Sequence, residues 1–254
     1  MKKRLFPITV LVLFIVLPLQ AEFRWRTGEV LTYKVKYSFV RLGTVRLMIM
    51  DSSRIDSIPV HHIRFNIDSS PLLFFVNVHS VFDCYLDDQM RPIKYIANES
   101  KKGKKKIATY HFNYPDSFFT IDMDDETNST DFTHKVFPLK QNVYDGISLV
   151  FYSRSMIHQK RSEQVIAFWE DKLGKITLNF KGEADSIKID ALRNKVPSYY
   201  IDGMFHLKGI AGVTGPFKGW FARDGQRPPL RAHLKVFIGN VVVELEKWER
   251  WDGH

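Results

Sequence analysis

The chain has 254 residues, a formal net charge of +9, 44% hydrophobic residues and 14% aromatic residues. This aromatic content excludes intrinsic disorder, because such a chain can bury enough apolar surface to fold. A single cysteine excludes an internal disulfide framework, and a single long apolar run excludes a multi-pass membrane protein.

The first 21 residues have the composition of a signal peptide. Three basic residues precede an apolar run over residues 5–19, and Ala21 supplies a small residue at a cleavage position. The run is short for a permanent span, which needs roughly 20 residues. We therefore predict a signal peptide over 1–21 and an exported, periplasmic chain over 22–254. Leu19 is larger than the residue usual three places before cleavage, so a membrane anchor through residues 5–19 is the alternative.

Removal of the signal peptide takes away Lys2, Lys3 and Arg4 and lowers the net charge to +6. This charge favours anionic surfaces such as lipid headgroups or acidic glycans. Nucleic acid is not an expected partner outside the cytoplasm. Cys84 has no His or Arg beside it in the sequence to lower its pKa, and we predict that it is a small core residue in a strand.

Alternating apolar and polar residues predict strands through the first half of the chain. Residues 31–39 alternate with a period of two, which is typical of a strand with one buried face. Similar patterns predict further strands over 45–49, 63–67, 78–86, 93–98, 108–114, 118–123 and 132–139. The apolar run 72–76 fits either a buried strand or one helical turn.

A lysine-rich segment lies between two of these strand patterns. Gly103 with flanking lysines is typical of an exposed hairpin tip. The candidates for contact with an anionic surface are Lys101, Lys102, Lys104, Lys105 and Lys106. The alternative is a solubilising loop that discourages pairing between sheet edges.

One helix is predicted after residue 144. Asp145 is suited to cap it, and apolar residues recur at helical spacing from Ile147 to Ile157. The helix is expected to end near residues 158–160, where basic side chains suit a helix C-terminus.

Strand patterns resume after the helix, over 165–169, 176–181, 187–189 and 201–207, and the chain closes with a hairpin over 230–245. About a dozen strands and one main helix predict a mostly β fold. Because a long antiparallel sheet must curl to protect its edges, we expect a single curved sheet or a partly open barrel, forming one β-rich domain over 22–254.

Two turn segments resemble each other. Asp88–Pro92 and Asp224–Pro228 both lie between strand patterns, with Asp placed to start a turn and Pro to begin the returning strand. The echo predicts a repeated hairpin solution, or else two related halves that face each other across a cavity.

Four stretches carry a family resemblance. They are Gly28–Tyr33 with Leu42–Gly43, Asp83–Asp87 through Pro92, Tyr144–Leu149 through Arg154, and Gly219–Asp224 through Pro228. In their order and spacing the chain resembles the bacterial secreted family called domain of unknown function 3108. The resemblance implies an envelope protein and carries over no catalytic residues. Gly146 departs from the family, which usually has a small helix former there.

A remoter, architectural likeness is to periplasmic carriers of lipids and lipoproteins, whose curved sheets hold acyl chains. Fold alone does not give function.

Motifs of known catalytic and metal sites are not found. The sequence lacks a phosphate-binding loop, a His-Glu-x-x-His motif and a Gly-x-Ser-x-Gly elbow. His61 and His62 are adjacent, so in a strand they point to opposite faces and do not share a metal easily. We expect no catalytic residue, no metal and no cofactor.

Aromatic residues on the strand patterns are candidates for an apolar ligand site. They are Tyr33, Tyr37, Phe39, Phe112, Phe180, Phe205 and Phe221, together with Phe237. A curved sheet lined in this way would enclose an apolar ligand, at about 25 cal/mol for each Å² removed from water. The alternative is that the same side chains fill the core.

Three functions are therefore considered. The favoured one is a periplasmic, non-enzymatic binding protein that holds a lipid or other apolar ligand. The second is a structural or assembly protein of the envelope that binds another protein or an acidic glycan through an exposed face. The third is a hydrolase, since many Asp and Glu residues are present and the sequence alone selects no pair.

Overall fold

The computed structural model describes residues 23–70, 78–101, 104–126, 130–209, 212–237 and 239–252. The predicted signal peptide 1–21, the apolar run 72–76 and Lys102 lie outside these residues. The prediction of export therefore stays a prediction.

The described residues form sixteen strands and one α-helix. The strands are β1 Val30–Tyr37, β2 Val40–Ile49, β3 Ser53–Ile55, β4 Ile58–Ser69, β5 Val78–Leu86, β6 Pro92–Lys101, β7 Lys104–Asn113, β8 Phe118–Asp125, β9 Thr130–Pro138, β10 Val143–Tyr144, β11 Lys160–Trp169, β12 Lys172–Ile187, β13 Val196–Phe205, β14 Gly215–Ala222, β15 Pro229–Val236 and β16 Gly239–Glu249. The helix α1 is Gly146–Met156.

A single curved, unclosed sheet dominates the molecule. Its order is β10-β11-β12-β13-β14-β15-β16-β1-β2-β4-β5-β6-β7-β8-β9, and β3 pairs with β4 beside this path. All pairings are antiparallel except that of β10 with β11. The first and last strands pair in the middle, from Val30 opposite Glu249 to Lys36 opposite Val242, and so join two meanders. The predicted mostly β fold with one helix is confirmed.

The sheet has more strands than the dozen that the sequence predicts. Strands β3 and β10 have three and two residues, too few to show a period. The sequence predicts a strand pattern at Phe221 but no bounds for β14, because Pro216 and Gly219 interrupt its alternation of apolar and polar residues.

The helix lies in the concavity of the sheet, between two core clusters. Ile147 and Phe151 belong to the larger cluster, which includes side chains of β1, β2 and β4–β8. Leu149 and Ile157 belong to the smaller cluster, with side chains of β11–β13. Because apolar side chains surround the helix, it is buried on several sides rather than lying on a surface.

The helix begins where the sequence predicts. Asp145 is its N-cap and accepts hydrogen bonds from the backbone N–H groups of Ile147 and Ser148, while the Ser148 hydroxyl accepts one from the N–H of Asp145. This reciprocal capping box satisfies donors that the first helical turn otherwise leaves unpaired. The predicted cap is confirmed.

Turns alternate between two ends of the sheet because neighbouring strands run antiparallel. We call the upper rim the end that carries turns β1–β2, β6–β7, β11–β12 and β15–β16. The lower rim carries turns 87–91 and 223–228, which follow β5 and β14.

Candidate functional site

The predicted aromatic residues do not form one continuous surface. Four are buried, namely Tyr33, Phe112, Phe180 and Phe221. The first two belong to the larger core cluster and the last two to the smaller, against which the partly buried Phe205 packs. Tyr37, Phe39 and Phe237 lie at the upper rim, where Phe39 and Phe237 are each 91% exposed. These last three residues therefore do not line the interior.

Aromatic side chains that the sequence analysis did not single out fill the interior instead. Phe168 of β11 reaches across the concavity, with its ring centroid 4.9 Å from that of Tyr110, 5.3 Å from Phe112 and 5.6 Å from Tyr95. Tyr95 and Tyr110 stand on predicted strands, so their burial follows from the alternating pattern. Their contact with Phe168 does not, because it depends on how the two ends of the sheet approach.

The two ends of the sheet meet through side chains along what we call the seam, formed by Lys106, Tyr110, Lys135, Glu170 and Asp171. Lys106 Nζ lies 2.6 Å from Glu170 Oε1, and Lys135 Nζ lies 2.6 Å from Asp171 Oδ2. The Tyr110 hydroxyl donates to the carbonyl of Glu170 at 3.2 Å. Within the described ranges, no strand pairing joins β9 to β10 or β11 across this seam.

Charge and a small cleft mark the seam. The hydrogen bond from Lys135 lowers the pKa of Asp171 and so favours its charged carboxylate. A cleft of about 150 Å³ opens here, lined by Lys106, Ile121, Met123, Asp125, Thr133, Lys135, Glu170 and Asp171. Ile121 of this lining belongs to the same core cluster as Phe168, so the cleft borders the aromatic interior.

Three buried tyrosine hydroxyls, those of Tyr33, Tyr95 and Tyr114, have no hydrogen-bond partner among the described residues. Tyr33 is 4% exposed and Tyr95 is 2% exposed, and both of their hydroxyl oxygens are buried. Burial raises the pKa of each phenol. A buried neutral hydroxyl without a partner is costly, so both positions are suited to a polar group of a ligand or to water.

A buried ion pair anchors the helix to the start of the sheet. The Arg154 guanidinium donates to both carboxylate oxygens of Glu29, at 2.7 and 2.9 Å, and neither side chain is exposed. Arg154 also donates to the carbonyl of Gln226, at 3.0 Å from Nε and 2.7 Å from Nη2. The Gln226 amide group donates to Glu29 and to the carbonyl of Arg250. One network thus ties together the helix, the entrance of β1, turn 223–228 and the C-terminal segment.

Turn 223–228 also caps the end of the helix. Arg227 donates through Nη1 to the carbonyls of Arg154 and Ser155, at 3.0 and 2.9 Å. Burial lowers the pKa of Arg227 from its ordinary value. The carboxylate of Asp224 holds the turn by accepting from the backbone N–H groups of Gln226 and Arg227.

The echo between the two turns is real but shifted by one residue. Asp87, not Asp88, accepts hydrogen bonds from the backbone N–H groups of Gln89 and Arg91. It therefore corresponds to Asp224, which accepts backbone hydrogen bonds in the other turn. Asp88 is largely exposed and contacts His61. The sequence could not show this shift, because either aspartate satisfies the preference for Asp at a turn.

Cys84 lies in the core, as predicted. Its thiol donates to Asp145 Oδ2 at 3.2 Å and is fully buried. Burial, together with the neighbouring Asp145 carboxylate, raises the pKa of the thiol well above its ordinary value, and burial also raises the pKa of Asp145. The thiol is therefore held as an inert donor beside the helix cap.

Only some of the lysines at the predicted hairpin tip, residues 101–106, are exposed. Lys104 and Lys105 are exposed, whereas Lys106 is engaged with Glu170 at the seam. Lys102 and the side chain of Lys101 lie outside the described residues. The predicted contact with an anionic surface stays a prediction.

The adjacent histidines contact different carboxylates. His61 Nε2 lies 3.2 Å from Asp88, and His62 Nε2 lies 2.6 Å from Asp83. Burial opposes ionisation of Asp83, but hydrogen bonds from His62 and Arg64 leave its pKa below the ordinary value. In the part of the chain that the structure describes, no three His, Cys, Asp or Glu residues cluster as metal ligands. Among the described residues, the helix α1 is not long and apolar enough to cross a membrane.

Comparison with known proteins identifies one family over most of the chain. The profile described as "Protein of unknown function (DUF3108)" matches residues 32–246. The chain belongs to the DUF3108 family. No curated protein sequence matches it.

Two solved structures resemble this DUF3108 chain. One is described as a β-barrel-like protein of domain of unknown function DUF1849 from Brucella abortus; at 8% identity and a TM-score of 0.56, the match covers 89% of this chain and 98% of that one. The other is a putative exported protein with a YmcC-like fold from Bacteroides fragilis, at 6% identity and a TM-score of 0.33, covering 91% of this chain and 100% of that one. The first match shows a shared fold alone.

Proposed function

We propose that this DUF3108 protein is a periplasmic, non-enzymatic binding protein of the cell envelope that takes up an apolar, lipid-like molecule through the seam. One observation carries the proposal: among the described residues, the aromatic interior is closed at the seam by side-chain contacts and not by strand pairing. The composition of residues 1–21 supports export, and the family and fold are compatible with this role.

Opening of the seam breaks few polar contacts. It separates the ion pairs Lys106–Glu170 and Lys135–Asp171 and one hydrogen bond from Tyr110. Ion pairs as exposed as these each contribute about 0–1 kcal/mol. The hydrogen-bonded ladders within the sheet stay intact, because no ladder crosses the seam among the described residues.

The interior has the chemistry that a lipid-like molecule needs. Phe168 fills the space in this closed conformation, so the ligand would replace its contacts with Tyr110 and Phe112 as the turn Glu170–Asp171 moves outward. The unpartnered hydroxyls of Tyr33 and Tyr95 each offer a hydrogen-bonding group to a polar part of the ligand.

A test is to lock the seam covalently. Lys135→Cys and Asp171→Cys, combined with Cys84→Ala, provide two thiols that a short bismaleimide can join. The matched control joins Arg41→Cys to Glu246→Cys, a pair that lies within the sheet and away from the seam. Binding is measured with a fluorescent fatty-acid analogue and by native mass spectrometry of the protein purified from cells.

We expect the unlocked protein and the locked control to bind the analogue and the seam-locked protein to lose most binding. Equal binding by the two locked proteins would show that the seam is not the route. A protein that neither retains lipid on purification nor binds the analogue would overturn the proposed function.

A second function, as an assembly protein, is favoured by the edge strand β9. Its outward-facing Phe132 and Val136 are 66% and 59% exposed, and β8 is its only partner in the sheet as described. An exposed apolar edge is a surface to which an extended segment of another protein can add as a strand. Capture of a partner that is lost on Val136→Pro would support this function.

A further inference from the structure

Two hairpin tips at the upper rim expose large aromatic side chains. Phe39 follows β1 and Phe237 follows β15, and each is 91% exposed. Tyr37 and Val40 beside them are 42% and 39% exposed. Single exposed apolar side chains are common, but several of them grouped at neighbouring tips mark an interaction surface.

The two tips are neighbours because β1 pairs with β16. Lys36 lies opposite Val242 in this pairing, and Val236 lies opposite Gly239 in the β15–β16 hairpin. The Tyr37 ring packs against Gly239, since a Cβ built on that glycine would lie 3.0 Å from Tyr37 Cε2. Adjacent strands lie about 4.8 Å apart, so the two tips form one surface, which we call the aromatic tips.

Positive charge surrounds the aromatic tips. Segments 36–41 and 235–240 hold three basic residues and no acidic residue. Lys36 and Arg41 contact Asp190 and Glu246 farther from the tips, whereas Lys235 is exposed and makes no ion pair with another described residue. The loop after β13 adds the exposed Lys208 and is tied to β15 by a hydrogen bond from the Thr214 N–H to the Lys235 carbonyl.

We propose that the aromatic tips dock on the surface of an anionic lipid bilayer. Phe39 and Phe237 insert at the boundary between headgroups and acyl chains, while Lys235 and Lys208 lie near the lipid phosphates. Exposed aromatic residues bind this boundary, and nearby lysines add attraction to anionic lipid. This inference is independent of the seam and of what the interior holds.

A second copy of the chain is a poorer fit to the aromatic tips. They protrude, so a protein partner would need an apolar socket to receive them. A cleft at the seam is lined mainly by charged side chains, and a second cleft, around Arg46 and Lys247, is lined half by charged residues. A bilayer needs no such socket, because lipid deforms around an inserted ring.

The test compares variants in co-sedimentation with vesicles. Phe39→Ser with Phe237→Ser removes the aromatic tips, and Phe132→Ser is the matched control, since it removes an exposed phenylalanine from β9 on the edge of the sheet. Vesicles contain phosphatidylglycerol with phosphatidylethanolamine, or phosphatidylcholine alone. Circular dichroism confirms that each variant is folded.

We expect wild type and the Phe132→Ser variant to bind the anionic vesicles and to bind phosphatidylcholine more weakly. The double variant should lower the partition coefficient by roughly tenfold or more. Lys235→Glu and roughly 0.5 M salt should each weaken binding, because both act on the electrostatic part.

Three outcomes would overturn the proposal. One is that wild type does not bind anionic vesicles. Another is an equal loss in the Phe132→Ser variant. The third is a dimer of the wild type, seen by sedimentation velocity, that the double variant abolishes while vesicle binding is unchanged, which would assign the tips to a second copy of the chain.

Discussion

At the scale of single residues, the Arg154–Glu29 pair is the most demanding feature of the interior. Taking two charges out of water costs several kcal/mol for each ion, and the pair tolerates this cost because its groups are hydrogen-bonded on several sides. Arg154 bonds to Glu29 and Gln226, and Glu29 also accepts from the Gln226 side chain. Loss of either partner leaves the other charge buried and uncompensated.

We predict that Arg154→Met lowers the free energy of unfolding by about 3–5 kcal/mol, because the Glu29 carboxylate then stays buried without its counter-ion. Urea denaturation followed by tryptophan fluorescence measures the loss. Arg41→Met is the control, since it removes the guanidinium from the partly exposed Arg41–Glu246 pair and should cost about 1 kcal/mol or less. Similar losses of unfolding free energy in the two variants would contradict the view that the buried Arg154–Glu29 pair is the more critical one.

The sequence predicts the role of Asp145 more fully than that of Arg154. Asp145 lies just before a helical pattern, and local preference alone identifies it as a cap. Arg154 is found in a resembling motif, but its partner Glu29 is 125 residues away. No local pattern shows that two distant charged residues meet inside the core, so their pairing required the structure.

At the scale of elements, the close approach of β12, β13 and β14 requires glycine at residue 203. It also accompanies the irregular sequence of β14, whose bounds the sequence does not predict. Gly203 of β13 lies between β12 and β14, and a Cβ placed on it would be 2.0 Å from the Thr177 carbonyl and 2.6 Å from the Phe217 ring. The Phe217 ring occupies the space that a side chain at residue 203 would need. Strand β14 thus packs closely on β13 at Gly203, although its own sequence lacks a regular alternation of apolar and polar residues.

We predict that Gly203→Ala lowers the free energy of unfolding by about 1–3 kcal/mol, because Cβ forces backbone or the Phe217 ring to move. Gly209→Ala is the matched control, since the nearest atom to its Cβ is the Val213 carbonyl oxygen at 3.8 Å. The control should stay within about 0.5 kcal/mol of wild type. A neutral Gly203→Ala would mean that β12–β14 are more loosely packed than the structure indicates.

Strands with a clean alternating pattern were predicted well, because one face must be buried. Leu31 and Tyr33 of β1 are buried on that face, and Ile176 and Leu178 of β12 are buried in the same way. The pattern gives no information on tilt or curvature at the ends. This is why Phe39 was expected inside and is instead exposed at a tip.

At the scale of the whole molecule, the sheet is best protected in the middle and least at its edges. Strands β1 and β16 are paired on both sides, whereas β9 and β10 each have one partner among the described strands. Backbone amides open from regions of low local stability first.

We predict that hydrogen exchange measured by mass spectrometry is slowest in peptides from β1 and β16 and fastest in those from β9 and β10. The seam-locked protein should slow exchange at β9 more than at β1. Rapid hydrogen exchange of β16 peptides in the wild-type protein would contradict the central position of this strand in the sheet.

The order of strands could be predicted only in part. Consecutive strands joined by short turns were expected to pair, and most do. The pairing of β1 with β16 joins residues near opposite ends of the chain, for which adjacent turns give no signal. The seam likewise depends on the cumulative curvature of fifteen strands, which no single segment determines.

This central pairing also makes the order of synthesis important. A ribosome that stops before residue 239 releases two half-sheets without the strand that unites them, and β1 then presents a bare hydrogen-bonding edge. Gln226 would also lack the carbonyl of Arg250, to which it donates. The central pairing thus cannot form until β16 is made, and copies truncated before this strand expose an edge on which chains can aggregate.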